Sequence, residues 1–230
     1  MEIKNGGNMK KTKIEWCDCT INPVVGCKNG CPYCYARRIN DRFHIIPKWD
    51  EPQFFPDRLK AFESKKPKSV FVNSMSDVSY WEPEWIEKTM QKMEENPQHE
   101  YIFLSKDWRD AYANGFDIGK GWYGLTVTRQ KDLGNYIFET FLSIEPILEP
   151  INLYELIGIT AMDYAYFPFS QVIIGAETGN RKEKVIPKKE WIDSLCKQAD
   201  EFGIKVFMKD SLIPIVGEKN MRRELIWRTK

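Results

Sequence analysis

Six short apolar runs, each ending in a polar residue or a glycine, constrain the fold of this chain more than any other feature. They cover residues 69–73, 101–105, 122–127, 140–145, 171–175 and 204–208. Such runs are typical of strands buried on both faces of a parallel sheet. Residues 83–95 and 187–202 lie between runs and carry apolar side chains at helical spacing. This alternation predicts βαβ units.

With a further strand expected just before residue 26, the total is about six to seven parallel strands. We therefore predict an α/β fold, specifically a single-domain partial (β/α) barrel over residues 13–230, in preference to an open doubly wound sheet. Residues 1–12 are polar and are expected to form a disordered leader. No apolar stretch approaches the ~20 residues of a membrane span, and the leader lacks the apolar segment of a signal peptide.

The charge balance argues against a general nucleic-acid binder. The net charge of the 230 residues is +1, with 29% charged residues, and 42% are hydrophobic, which is enough for a sizeable core. Six cysteines without an export signal indicate a reducing compartment. We therefore predict a cytoplasmic protein with no membrane partner.

Cys27, Cys31 and Cys34 form a C-x3-C-x2-C pattern in one short loop. Three thiolates can hold a [4Fe–4S] cluster and leave one iron open to a small molecule. Zinc is the alternative, because a fourth protein ligand would close a structural zinc site. Possible fourth ligands nearby are Cys17, Cys19 and His44. An odd set of cysteines without a secretory signal does not favour a disulfide.

Polar side chains follow the predicted strands, at the end where (β/α) barrels have their active sites. Glu145 and Glu177 each follow an apolar run, so we expect them to have a catalytic or ligand-binding role in preference to a capping or salt-bridge role. Helix capping is the alternative for Asp77, Thr128 and Asp210. Lys106 and Lys209 either bind a ligand or pair with the carboxylates. The other candidates at strand ends are Asn73, Ser74, Ser76, Ser105, Thr126, Arg129, Ser143 and Thr178.

The cysteine motif, with Tyr33 before its last cysteine, resembles the signature of radical S-adenosylmethionine (SAM) enzymes. Residues 16–36, 71–77, 141–146 and 172–179 are similar to one branch of that superfamily, the phage-associated radical-SAM-like proteins of largely unassigned function. The resemblance implies a partial barrel of the radical-SAM type, a [4Fe–4S] cluster on the three cysteines, and SAM bound to the open iron.

The resemblance also implies which side chains would hold SAM. Tyr33 would pack near the adenine. The strand end that holds the SAM amino group in the superfamily is here residues 73–77, in place of the usual glycine–glycine–glutamate, so its contacts would come from Asn73, Ser74 or Asp77. Candidates for the ribose and adenine are Thr126, Thr128, Ser143 and Glu145.

The leading hypothesis is therefore a radical SAM enzyme. An electron donor such as flavodoxin or ferredoxin would reduce the cluster, SAM would be cleaved reductively, and the 5′-deoxyadenosyl radical would abstract hydrogen from an unidentified substrate. Glu145 and Glu177 would bind SAM or substrate, and a nucleic acid or nucleotide is one candidate substrate. The alternative hypothesis is a protein stabilised by zinc or an inert cluster, which binds a ligand or nucleic acid without cleaving SAM.

Overall fold

The computed structural model describes residues 12–117, 119, 121–137, 139–156 and 169–228. The chain divides into two compact units, Met1–Tyr123 and Gly124–Lys230, and each has its own hydrophobic cluster. The predicted leader lies outside the described residues except for Thr12.

The first unit contains short strands with helices and turns between them. Its described strands are β1 (Cys19–Thr20), β2 (Val24–Val25), β3 (Gln53–Phe54), β4 (Ser69–Phe71) and β5 (Glu100–Ser105). Its described helices are α1 (Tyr35–Phe43), α2 (Pro83–Glu94) and α3 (Arg109–Ala113), with 3-10 turns at Pro56–Glu63 and Val78–Tyr80. Pro83 begins α2, where a missing N–H removes no helical hydrogen bond.

The second unit contains strands β6 to β9 and one long described helix. The strands are β6 (Trp122–Val127), which contains the point of division, β7 (Phe141–Ile144), β8 (Gln171–Ile174) and β9 (Lys205–Met208). The described helices are α4 (Lys189–Glu201) and α5 (Ile213–Val216), with 3-10 turns at Gln130–Asn135, Asp210–Leu212 and Glu218–Asn220. Gly203 follows α4 with φ of +68°, a left-handed conformation that ends the helix.

Seven strands form one parallel sheet in the order β1-β4-β5-β6-β7-β8-β9, and β2 and β3 form a separate antiparallel pair. In the second unit Ile144 pairs in register with Val127 on one side and with Ile174 on the other, and Ile174 pairs with Met208. Parallel strands added in chain order are the topology of a partial (β/α) barrel. The predicted α/β fold class with a partial (β/α) barrel is therefore confirmed, and the radical-SAM type of this barrel stays a prediction.

Each unit packs its own apolar side chains. In the first unit, the rings of Phe103, Trp108, Phe116 and Tyr123 have centroids 5.0 to 5.9 Å apart. In the second, the buried face of α4 joins a cluster of strand residues. Among the described residues, no helix has the length and apolar character needed to cross a bilayer.

The cysteines outside the motif belong to the packing. Cys17 and Cys19 are buried, and burial raises the pKa of the Cys19 thiol to about 11. Cys196 is half-buried against the core of the second unit.

Candidate functional site

The cysteine loop begins at a glycine whose replacement would cause a clash. Gly26 has φ of +113°, and a Cβ there would lie 2.8 Å from Pro52 Cα and 2.9 Å from the Trp49 carbonyl oxygen. The Gly26 N–H donates to the Met75 carbonyl oxygen at 3.0 Å, and the Cys27 N–H donates to the Trp49 carbonyl oxygen at 2.9 Å. These bonds fix the start of the loop against two other segments of the first unit.

Backbone amides point at two of the three motif sulfur atoms. The Asn29 N–H donates to Cys27 Sγ at 3.5 Å, and the Arg37 N–H donates to Cys34 Sγ at 3.3 Å. Cys34 is the N-cap of α1, and its side chain caps the first turn by accepting the Arg37 N–H. All three motif cysteines are half-buried. Their surroundings suit thiolate ligands, because N–H···S hydrogen bonds stabilise the charge of cluster sulfurs.

Burial raises the pKa of the Cys27 thiol to about 12, and the Asp77 carboxylate adds to this rise. Without a metal the thiol is protonated at neutral pH, whereas a coordinated metal deprotonates it. Within the part of the chain that the structure describes, no three His, Cys, Asp or Glu side chains come close enough together to hold a single metal ion. The argument that the loop can hold a metal group therefore depends on its three thiols and on their position in one loop.

Asp77 links the cysteine loop to the ends of β4 and β5. Its Oδ2 accepts from Asn29 Nδ2 at 2.8 Å and from the Lys106 N–H at 3.1 Å. Its Oδ1 accepts from Ser105 Oγ at 2.5 Å, and from Ser79 Oγ and N–H at 2.9 and 3.2 Å. The residue is 6% exposed, so these five protein donors replace the water that a carboxylate needs. The expected capping role of Asp77 is present, because Ser79 lies in the turn that follows it.

Asn73 and Ser74, both predicted to bind the cofactor, hold segments of the first unit together. Asn73 Nδ2 donates to the Leu104 carbonyl oxygen at 2.5 Å, and its Oδ1 accepts from the Leu104 N–H at 3.0 Å. Ser74 Oγ donates to Asn22 Oδ1 at 3.0 Å, and the Ser74 carbonyl oxygen accepts from the Tyr35 hydroxyl at 2.7 Å. The Asn73 amide thus extends the pairing of β4 with β5.

Tyr33 and Lys106 are in contact beside the loop. Lys106 Nζ donates to the Tyr33 hydroxyl oxygen at 3.3 Å and lies 5.8 Å from the centroid of its ring. The contact places a positive charge beside the tyrosine that the resemblance assigns to adenine.

In the second unit, the residues that follow β7, β8 and β9 form a row. Glu145, Gly175 and Lys209 each come one position after residues that pair in register. Lys209 Nζ lies 2.7 Å from Glu145 Oε2, so the alternative that Lys209 pairs with a carboxylate is confirmed. A Cβ on Gly175 would lie 3.0 Å from Lys209 Cδ and 3.2 Å from Glu145 Cγ, so the glycine leaves space for this pair. Ser143 Oγ donates to Glu145 Oε1 at 3.3 Å, and Thr126 pairs with Ser143 in register.

Thr128 and Glu177 bond to residues close by in sequence. The Thr128 hydroxyl and N–H both donate to Asp132 Oδ2 at 2.8 Å. Glu177 accepts from Arg181 Nε and Nη2 at 2.7 Å each, a bidentate pair in which the Glu177 side chain is 2% exposed. The hydrogen-bonded Glu177 carboxylate raises the pKa of Arg181. Glu145 and Glu177, predicted to share a catalytic role, therefore have different cationic partners.

A family profile described as "Protein of unknown function (DUF5131)" matches residues 11–212. The chain belongs to this family. The span shared with the DUF5131 family includes the cysteine loop, Asp77 and the Glu145–Lys209 pair, so it covers the candidate residues of both units. No curated protein and no solved structure matches the chain.

Two residues of the site were missed by sequence reasoning. Asn29 joins the loop to Asp77, and its Oδ1 accepts from the Tyr80 hydroxyl at 2.9 Å. Its signal in the sequence is an amide side chain between two motif cysteines. Arg181 pairs with Glu177 and lies in a stretch, residues 181–189, that contains four lysines, so nothing in the sequence distinguishes it from the other cations there.

Proposed function

We propose that this protein is a radical SAM enzyme whose cluster-binding loop is residues 26–36. The observation that carries the proposal is the arrangement of Cys27, Cys31 and Cys34, three half-buried thiols on one loop with amide donors at two of the sulfur atoms. The loop has no fourth cysteine. A [4Fe–4S] cluster held by these three would therefore keep one iron open for SAM.

When bound, such a cluster supplies the electron that cleaves SAM reductively, and the radical so formed abstracts hydrogen from the substrate. The residues of the first unit would bind and orient. The sulfur atoms of Cys27 and Cys34 each accept a hydrogen bond from a backbone N–H. The Lys106 ammonium and the Tyr33 ring offer a cation and an aromatic face, which match the carboxylate and the adenine of SAM.

In the second unit we propose ligand-binding roles for side chains at the ends of β6, β7 and β9. Glu145 and Lys209 carry opposite charges side by side, so together they match the ammonium and carboxylate groups of a zwitterion. Ser143 and Thr126 lie next to them on adjacent strands and offer hydroxyl groups to a ribose. Glu177 is a second candidate carboxylate, held in place by Arg181.

A second candidate function is a metal-stabilised binding protein that does not cleave SAM. The observation that favours it is the set of bonds made by Asp77 and Asn73. The Asp77 carboxylate accepts five hydrogen bonds from protein donors, and the Asn73 amide pairs with the Leu104 backbone. The strand end that would hold the SAM amino group is thus engaged within the protein. Under this hypothesis zinc or an inert cluster stabilises the loop.

We further propose a cytoplasmic location and a one-electron donor protein, because free thiol ligands and a low-potential cluster both need reducing surroundings. A nucleic-acid substrate is a separate hypothesis. It is tested by measuring nucleic-acid binding at several salt concentrations, because binding to phosphates weakens steeply as the salt concentration rises.

The deciding experiment is electron paramagnetic resonance on the full chain, reconstituted anaerobically with iron and sulfide and reduced with dithionite, with and without SAM. We expect a [4Fe–4S] signal whose shape changes when SAM is added. Cys31→Ala should lose the iron, whereas Cys196→Ala, which removes a half-buried cysteine outside the loop, should keep it.

A cluster signal that is indifferent to SAM would favour the binding protein. A colourless protein that takes up zinc and no iron would do the same. Full iron content in Cys31→Ala would contradict the assignment of the loop.

A further inference from the structure

The outer face of α1 carries a row of large apolar side chains. Tyr35, Ile39 and Phe43 are spaced four residues apart, so they lie along one face of the helix. They are 45%, 36% and 58% exposed, and they are three of the five large hydrophobic side chains that are exposed among the described residues. Apolar groups that form a contiguous exposed row mark an interaction surface, whereas scattered ones do not.

Arginines border this row. Arg38 and Arg42 are exposed, and each lies one helical turn after a member of the row. The Arg42 guanidinium carbon lies 5.1 Å from the centroid of the Phe43 ring. The helix has three arginines and one acidic residue, Asp41. Aromatic residues and arginine are enriched in protein interfaces, and the positive charge of this face is complementary to an acidic partner.

The same face is attached directly to the cysteine loop. Cys34 is the N-cap of α1, and Tyr35 is the first residue of the helix. The Tyr35 hydroxyl donates to the Ser74 carbonyl oxygen, which fixes this turn to the end of β4. A protein that docks on the row would therefore reach, at its Tyr35 end, to within about one helical turn, ~5.4 Å along the axis, of the last motif cysteine.

We infer that the outer face of α1 is the docking surface for a small acidic electron-carrier protein. The inference rests on the proposed function, because the carrier would reduce the cluster that we propose on the cysteine loop. In the transfer, one electron leaves the redox group of the carrier and enters the cluster, the carrier is oxidised by one electron, and no bond forms or breaks. The apolar row would provide contact area, and the arginines would orient the carrier and raise its rate of association.

The test uses two acidic carriers, a flavodoxin and a plant-type ferredoxin. The full chain is compared with the double variant Arg38→Glu/Arg42→Glu and with Phe43→Ala. The matched control is Lys65→Glu/Lys66→Glu, which reverses two exposed charges of the first unit that lie outside α1 in sequence. The dissociation constant is measured on protein with and without the cluster. The rate of cluster reduction is measured with each carrier and with dithionite, which needs no docking surface.

We expect the arginine variant to weaken carrier binding by about tenfold or more and to slow carrier-driven reduction by a similar factor. Dithionite should reduce every variant at the rate of the unaltered protein. Phe43→Ala should weaken binding without changing its salt dependence, because it removes area and no charge. The lysine control should match the unaltered chain, and circular dichroism should show the same helix content in all variants.

The inference is overturned if neither carrier binds in a charge-dependent manner, or if the lysine control weakens binding as much as the arginine variant. It is also overturned if the arginine variant abolishes binding of a single-stranded oligonucleotide while the carriers do not bind, or if Phe43→Ala dissolves a dimer of this chain. Failure to form any cluster would count against the proposed function. Carrier binding to the cluster-free protein would still show whether the outer face of α1 is the docking surface.

Discussion

Replacing Asp77 by asparagine should destabilise the first unit and release the cysteine loop. The substitution keeps the shape of the side chain but exchanges one acceptor oxygen for an NH2 group. If this group takes the place of Oδ2, it faces the Asn29 amide and the Lys106 N–H. If it takes the place of Oδ1, it faces the Ser79 N–H, although the serine hydroxyls can turn to accept from it. In either orientation at least one backbone N–H is left facing a donor.

The expected loss of stability follows from these contacts. A buried donor without an acceptor costs about 1–3 kcal/mol, and loss of the negative charge weakens the remaining bonds by about 1 kcal/mol in all. The free energy of unfolding should therefore fall by about 2–4 kcal/mol. Iron uptake by the loop should fall as well, because the Asn29–Asp77 bond anchors the loop to the end of β4.

Urea unfolding followed by tryptophan fluorescence measures this loss, since buried Trp81 lies four residues from the substitution and reports on the first unit. Asp57→Asn is the matched control, because the Asp57 side chain is 89% exposed and its pairing with Lys60 is on the surface. The control should unfold at the same urea concentration as the unaltered chain. Equal midpoints for Asp77→Asn and Asp57→Asn would refute the reasoning.

Two further predictions concern the loop and the paired charges. Gly26→Ala should lower the free energy of unfolding by more than ~3 kcal/mol, since its Cβ would lie 2.8 Å from Pro52 Cα. Gly30→Ala is the control, because Gly30 also has a positive φ, +65°, but no atom lies within 4 Å of a Cβ added there. This variant should lower the free energy of unfolding by only about 1 kcal/mol. Equal losses for the two variants in urea unfolding would contradict the clash at Gly26. Lys209→Met should lower stability by about 1–3 kcal/mol because it leaves the Glu145 carboxylate, 17% exposed, without its cation. Adding Glu145→Gln should then restore part of the thermal stability, and a further loss in the double variant would count against the pairing.

Much of the fold was predictable because a parallel strand that is buried on both faces produces a continuous apolar run in the sequence. The apolar run at 122–127 coincides with β6, and the other five runs match described strands to within two residues. The run at 69–73 is longer than β4, which ends at Phe71. Beyond Phe71, the Asn73 side chain takes over the pairing with Leu104, and an apolar pattern cannot reveal a bond made by a side chain amide.

By itself, the sequence determined which chemical groups stand close together along the chain. Three thiols within eight positions must share one loop, a glycine begins it, and a row of large apolar side chains follows on the helix, because bond lengths and helical periodicity allow little else.

The tertiary structure alone decided the partners of the charged groups. Asp77 meets Asn29 and Ser105, which are 48 and 28 residues away, and Glu145 meets Lys209 across β8. Strand order and register create these contacts, and both depend on how the whole sheet packs rather than on the identity of the residues at its ends. The spacing of residues in the sequence therefore could not predict whether Asp77 and Glu145 bind a ligand or bond within the protein.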